Sequence, residues 1–353
     1  MLPNEENELI FLSGFVPRQV RARDKAKEAM MGLRQLLVAA GACIALAAGT
    51  TSGVAQQWPN RTVKVVVPYG VGGVTDTMAR VTADRLSKML HQTFVIENKL
   101  GAGGAIGVDY ALHSPPDGYT LLFVGSTLFT VLPLAQKVNY VPLKDLVPVS
   151  ITGTNGMVLV VEKSAPYSTL REFLDYARAN PGKITYSSGG PATNNHLSTA
   201  YLAGREHLDL VHVPFGGGQA ALTAVLSKSV DMHFGNSSDL IEPVKSGAVK
   251  ALAVSTRERM PQLPNVPTVA ETIPGFEYVA WNGYAVAGGV PKEVTSKLAE
   301  ALRVIARDPE VINIFAKLGI ESVGTTPDEA VESVRKDMPI YSKVVDMAGV
   351  RRK

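Results

Sequence analysis

The chain has 353 residues, 46% hydrophobic and 19% charged, the balance of a folded globular protein long enough for two domains. A formal charge of +3, with no Lys/Arg cluster beside exposed aromatic residues, excludes nucleic acid as a partner. The single cysteine is Cys43; if the leader containing it is removed, no cysteine nucleophile, cysteine metal site or disulfide remains.

In chain order, residues 1–30 have mixed charge and no periodicity, and are read as an N-terminal extension, unstructured or a start-site artefact. Arg34, the apolar run Leu36–Ala48 and the small residues Gly53-Val54-Ala55 read as a signal peptide over 31–55. The run is shorter than the ~20 residues a membrane helix needs. A lipoprotein anchored at Cys43 is the rival reading; the apolar run continuing past the cysteine weighs against it.

From Trp58 strands and helices alternate. The β-branched run Val63–Val67 predicts a buried strand that passes through Pro68-Tyr69-Gly70 and Gly72-Gly73 into a helix over Asp76–Leu90. Phe94–Glu97 and Tyr119–Val124 are predicted strands around a short helix Ala105–His113. Val147–Val161, broken at Gly153-Thr154-Asn155-Gly156, is read as a crossing into a second domain. There the helices Leu170–Ala179, Asn195–Arg205 and Gln219–Leu226 alternate with the strands Ile184–Tyr186, Leu210–Val213, Asp231–Phe234 and Val249–Val254. Pro261–Pro274 reads as a linker and Phe276–Ala287 as the return crossing, followed by helices Lys292–Arg307, Pro309–Leu318 and Pro327–Asp346. This pattern predicts an α/β protein of two lobes, each a mostly parallel sheet flanked by helices, with two crossing strands as a hinge. The expected division is 56–155 with 281–353 against 156–280.

Three strand–helix turns are glycine-rich: Tyr69–Thr75, Ser187-Ser188-Gly189-Gly190, and Phe215-Gly216-Gly217-Gly218. Such turns gather unpaired N–H groups at a helix N-terminus, a site for an anion. In open α/β sheets the C-terminal ends of strands are also where ligands bind. One carboxylate end is therefore expected on Tyr69, Gly72, Gly73 and Thr75, supported by Ser126 or Thr127. The other is expected on Ser187, Ser188, Asn194 and His196, with Phe215, Gly216, Gly217 and Gln219 closing the site. Asp76 belongs to the same loop, but carboxylates about 4 Å apart repel by about 4 kcal/mol at an effective dielectric near 20. It is read as a helix cap, or as holding a water or donor that faces the ligand. No arginine lies in these loops, so backbone dipoles and water must carry the charge.

Gly101-Ala102-Gly103-Gly104-Ala105-Ile106 misses a dinucleotide fingerprint at Ile106 and reads as a structural turn. There is no P-loop, HExxH or GxSxG, and His196, His207, His212 and His233 lack zinc-site spacing. No catalytic residue, cofactor or metal is expected.

Pro68-Tyr69-Gly70-Val71-Gly72-Gly73-Val74-Thr75-Asp76, Glu97-Asn98-Lys99-Leu100-Gly101-Ala102-Gly103-Gly104, Asp117-Gly118-Tyr119-Thr120-Leu121, Val213-Pro214-Phe215-Gly216-Gly217 and Pro264-Asn265-Val266-Pro267-Thr268-Val269 together carry a resemblance. From Gln57 to about Ala348 the chain resembles the Bug-type periplasmic substrate-binding proteins of tripartite tricarboxylate transporters. The resemblance implies a periplasmic-binding-protein type II fold, a small carboxylate held between two lobes by backbone groups and waters, and delivery to integral membrane transporter subunits. A periplasmic monomer without enzymatic activity is the expectation; a sensor or scavenger serving a signalling partner is the alternative. The sequence departs from the family pattern at Gly70-Val71, at Pro191-Ala192-Thr193-Asn194-Asn195 and at Asn236-Ser237-Ser238.

Overall fold

The first strand, β1 (Val63–Val67), shows how this sequence makes a sheet buried on both faces. Val63, Val65 and Val67 enter one apolar cluster while Val66 enters another, the period-two alternation of a strand. The computed structural model describes residue 31 and residues 58–352. The expected extension, the rest of the signal segment and Cys43 lie outside the described residues. The chain divides into units of residues 1–57 and 58–353, and the fold is that of the second.

After β1 come α1 (Val74–Leu90), β2 (Phe94–Asn98), α2 (Ala105–Leu112), β3 (Thr120–Gly125), the single-turn helices α3 (Thr127–Thr130) and α4 (Leu132–Ala135), and the long strand β4 (Leu146–Val161). The second lobe follows as α5 (Leu170–Ala179), β5 (Thr185–Ser188), α6 (Asn194–Glu206), β6 (Val211–Pro214), α7 (Gly218–Leu226), β7 (Met232–Asn236), α8 (Ser237–Lys245) and β8 (Lys250–Val254). The strand β9 (Val279–Ala287) then leads into α9 (Lys292–Ile305), α10 (Pro309–Lys317), β10 (Ile320–Ser322) and α11 (Pro327–Met347).

The strands join in the order β2-β1-β3-β9-β4-β7-β5-β6, with β8 and β10 also pairing with β4. β1 pairs in parallel with β2 and β3, and β5 with β6 and β7; every pairing of β4 and β9 is antiparallel. β4 serves both lobes. Leu146–Gly156 pair with β9, whereas Met157–Val161 pair with β7 on one side and, over Val158–Val161, with β8 on the other. The two-lobed α/β architecture with crossing strands is thus the one the alternating pattern predicts. Both faces of the second-lobe part of β4 are apolar: Met157, Leu159 and Val161 face one cluster, Val158 and Val160 another.

The expected break at Gly153–Gly156 is not a break. β4 runs through it, and its ladder with β9 shifts register between Pro148 and Ser150 and between Ile151 and Gly153. There β9 presses so closely on β4 that a Cβ at Gly283 would sit 2.2 Å from the Ser150 carbonyl oxygen. Four short or irregular elements escape the periodicity reading. α3 and α4 are single turns, β10 has three residues, and α8 opens on Ser237-Ser238-Asp239 and contains Pro243. α11 begins in a capping box between Thr326 and Glu329. Its Ala330 and Val334 pack in the first lobe, while Tyr341, Val344 and Val345 pack in the second.

Candidate functional site

The loop after β1 is held by Asp76, whose side chain is 1% exposed. Its Oδ2 accepts from the Gly72 N–H at 2.9 Å and from Arg80 Nε at 2.9 Å, and its Oδ1 from Arg80 Nη2 at 3.0 Å and Asn98 Nδ2 at 2.8 Å. Burial works against the charge, but the hydrogen bonds from Arg80, Gly72 and Asn98 outweigh it and hold the carboxyl below its usual pKa. Asp76 is thus saturated by the protein and pins the loop to the end of β2. Asn98 Nδ2 also donates to the Tyr69 carbonyl at 3.0 Å, so the loop is tied at both ends.

This fastening leaves the α1 N-terminus without a side-chain cap on Gly73. The α6 N-terminus, at Thr193, likewise has none, and no acidic residue stands in its first turn. Both ends reach one cavity of about 510 Å³, a size usual for small-molecule sites. From the first lobe come Tyr69, Val74, Thr75, Gly103, Gly125, Thr127 and the 131–136 segment; from the second come Pro191–Asn195 and Asn236. Asn155 of β4 and Ala280, Trp281 and Asn282 of β9 complete the lining.

Side-chain amides run across this cavity in a chain. Thr75 Oγ1 donates to Asn282 Oδ1 at 2.9 Å, Asn282 Nδ2 to Asn155 Oδ1 at 3.5 Å, and Asn155 Nδ2 to Asn236 Oδ1 at 3.3 Å. Asn194 accepts from the Tyr278 hydroxyl at 3.1 Å, and among the described residues the Nδ2 of the buried Asn195 has no partner. Trp281 is oriented by its Nε1 donating to Asp337 Oδ2 at 2.8 Å, and its ring lies 5.7 Å from Phe129. Burial raises the Asp337 carboxyl despite that bond, and raises the Tyr69 phenol despite hydrogen bonding to Thr127 and Gly125. Tyr69 therefore presents a neutral hydroxyl, and the other lining residues include no Asp, Glu, His, Lys or Arg. Among the described residues no cluster of His, Cys, Asp and Glu could hold a metal ion.

Of the residues singled out in the sequence, the structure brings Tyr69, Thr75, Thr127 and Asn194 into the cavity lining. Gly73 and Ser126 adjoin lining residues in sequence, whereas Gly72 does not line the cavity and gives its N–H to Asp76, which stands behind the loop. Ser187 points into the second lobe, where its hydroxyl donates to the Ala221 carbonyl at 2.9 Å and meets His233 Nδ1 at 3.1 Å. Burial drives His233 down to about pKa 4, and its ring fills the space beside Gly235, where a Cβ would lie 2.2 Å from Nε2. Ser188 Oγ meets His212 Nε2 at 2.6 Å, away from the amide chain.

His196 stacks on His212 with ring centres 4.0 Å apart, and both line a second cavity with Tyr186, Asp209 and Met347. Its Nδ1 accepts from the Ala192 N–H at 3.3 Å. Burial, with the neighbouring His212, lowers it to about pKa 4, so it is neutral at neutral pH. Phe215, Gly216, Gly217 and Gln219 lie outside the first cavity. The Gly217 turn backs onto Gly189, and near Gly218 the donors Ser238, Asn236 and Gln219 surround Asp239. Burial raises the Asp239 carboxyl against those three hydrogen bonds. Asn155, Asn236, Trp281 and Asn282 were not among the sequence candidates; three asparagines on or just past buried strands were the available signal.

An uncharged, amide-lined cavity on the crossing strands of a two-lobed α/β protein defines a solute receptor of the periplasmic-binding-protein class. Residues 78–345 match the family described as "Tripartite tricarboxylate transporter family receptor" (TctC). The chain belongs to this family of transport receptors, which are not enzymes; the sensor alternative is not favoured. It is 33% identical over 322 residues to the "UPF0065 protein in tcbD-tcbE intergenic region" of Pseudomonas sp. (strain P51), covering 90% of this chain and 95% of that one. It is 31% identical over 326 residues to "Protein BugT" of Bordetella pertussis, covering 92% and 100%. Among solved structures it is similar to R. palustris Rpa4515 with adipate (29% identity, TM-score 0.76, covering 83% and 99%). It is also similar to MatC from Rhodopseudomonas palustris with bound malate (31%, TM-score 0.72, covering 82% and 100%).

Proposed function

We propose that this receptor captures a small dicarboxylate between its lobes and delivers it to the membrane subunits of its transporter. The observation that carries this reading is that two helix N-termini without side-chain caps, one from each lobe, reach a single cavity whose only ionisable side chain among the described residues is a neutral tyrosine. Each terminus offers free N–H groups and the positive end of a helix dipole, so each suits one carboxylate. Similar receptors solved with adipate and malate support the same class of ligand.

In this reading the first carboxylate rests on Tyr69, Gly73, Thr75 and Thr127, and the second on Asn194 and Asn195. Lobe one is 56–155 with 281–353 and lobe two is 156–280. The protein reaches the periplasm by its signal segment and acts there as a monomer. Gly73 has extended backbone (φ −72°) and only the Gly70 carbonyl, at 3.7 Å, near a Cβ, so Gly73→Val should fold while obstructing the first carboxylate. A thermal-shift screen of organic acids should find dicarboxylates that raise the melting temperature of the native protein and leave that of Gly73→Val unmoved. If no dicarboxylate shifts the native protein, the reading is wrong.

A further inference from the structure

We infer that His196 and His212, which line no part of the ligand cavity, are positioning residues: they brace the Gly190–Ala192 turn that sets the α6 N-terminus against the second carboxylate. Their role rests on the dicarboxylate reading and deepens it. The turn runs from the end of β5 into α6, and Pro191–Asn195 line the cavity. It is built on two residues of positive φ, Gly190 at 121° and Ala192 at 62°. Glycine takes such a conformation freely, whereas the alanine Cβ crowds a neighbouring carbonyl oxygen there and needs support from its surroundings.

The two imidazoles supply that support. A backbone N–H can only donate, so the Ala192 N–H, 3.3 Å from His196 Nδ1, meets a ring nitrogen that carries no proton. The Gly190 N–H donates to Ser188 Oγ at 3.0 Å, and that hydroxyl meets His212 Nε2 at 2.6 Å. Each strained residue is thus tied to one ring. The rings stack with centres 4.0 Å apart and planes within 7° of parallel, and Tyr186 stacks on His212 at 4.9 Å, so each ring fixes the plane of the next. Ser188 and His196 thereby serve the ligand without touching it. Without the Ala192–His196 bond, Ala192 relaxes toward negative φ and the Asn194–Asn195 end is competent for only part of the time. Affinity then falls with the competent fraction.

The test is calorimetry on the full chain at neutral pH, with succinate, malate, glutarate and adipate as probes. His196→Phe keeps a ring for the stack and removes the acceptor; the acid that binds best should bind about five- to tenfold more weakly. His196→Asn returns an acceptor for the Ala192 N–H and should recover most of the loss. Adding Ala192→Gly to His196→Phe lets the turn stay left-handed without the bond, and should also recover most of it. A glycine at that position would not repair a site damaged by crowding at His196. If His196→Phe melts early, His196→Leu takes its place in both comparisons.

Unchanged affinity in the variant without the acceptor overturns the inference and leaves the carboxylate reading intact. A loss that neither His196→Asn nor the added Ala192→Gly restores overturns it as well. Binding of none of the four acids by the native protein removes the carboxylate reading and this inference together.

Discussion

Replacing Asp76 by asparagine tests how the first loop is built. The carboxylate accepts four hydrogen bonds between 2.8 and 3.0 Å, from Gly72, Asn98 and twice from Arg80. An amide keeps one oxygen and turns an NH₂ group toward two of those donors, so about half the bonds are lost. Hydrogen bonds to a charged group contribute about 1.5–3 kcal/mol each, and Arg80 is half exposed, so water screens its share. A net loss of about 2–3 kcal/mol follows, or a fall in melting temperature of roughly 4–10 °C for a domain of this size. The pH dependence has a definite sign. The folded carboxyl lies below its ordinary value of 3.8, so its contribution is fully present above that pH and is lost as pH falls through the folded value. Calorimetric melts of the two proteins should differ at pH 7 and converge below pH 3.8. Equal melting temperatures at pH 7, or a gap that persists undiminished into acid, would refute the argument.

Other variants probe the remaining parts. Thr75→Val removes the bond that starts the amide chain while keeping the side-chain shape, and should weaken ligand binding about five- to tenfold in a titration with little change in melting temperature. Gly283→Ala puts a methyl group 2.2 Å from the fixed Ser150 carbonyl, and should cost about 1–3 kcal/mol in urea unfolding by forcing the crossing strands apart. His196 titrates near 4 in the folded protein against 6.5 ordinarily, so the unfolded chain binds the proton first and stability falls as pH drops from 6.5 toward 4. The effect is up to about 3 kcal/mol. His196→Asn keeps an acceptor for the Ala192 N–H and should lose less stability over that interval in pH-dependent melts; an unaltered profile would count against the buried neutral imidazole.

The strands and long helices were legible because their residues obey a period. Val63–Val67 and Leu170–Ala179 need only the alternation or the helical stripe to be recognised, and both lie where the pattern puts them. α8 was missed because Ser237-Ser238-Asp239 reads as a loop, although Leu240 and Ile241 bury one face of it. The glycine turns of the second lobe show the limit of local reasoning. Ser187, Ser188 and the Phe215–Gly217 turn have the composition of an anion cradle, yet these hydroxyls bond to partners within the second lobe. Only the tertiary fold supplies His233, His212 and Asp239 as their neighbours. The amides of Asn155 and Asn282 lie 127 residues apart and meet because β4 pairs with β9, a relation no window along the chain contains. Of the three segments where the sequence departs from its family pattern, Gly70-Val71 does not line the cavity, whereas Pro191–Asn195 and, at Asn236, the third do. They are where this receptor's own ligand preference can be written.

The position of the amides also divides the labour of binding. Asn155 and Asn282 sit on the two strands that cross between the lobes, whereas Thr75 and Asn194 sit at helix ends outside them. A rotation of one lobe against the other moves an atom in proportion to its distance from the crossing strands, so the floor stays nearly fixed while the helix ends travel. α11 reinforces this geometry. It packs in the first lobe through Val334 and in the second through Tyr341, with Pro339 between them, where the missing N–H makes a helix easiest to bend. In the proposed reading the stationary amides meet the ligand between its ends, and affinity is set by how far the two helix ends close on the carboxylates. With no cationic side chain to anchor an open complex, a ligand gains most of its contacts only on closure. Changes on the crossing strands should therefore alter which acid binds, and changes at Thr75 or Asn194 how tightly.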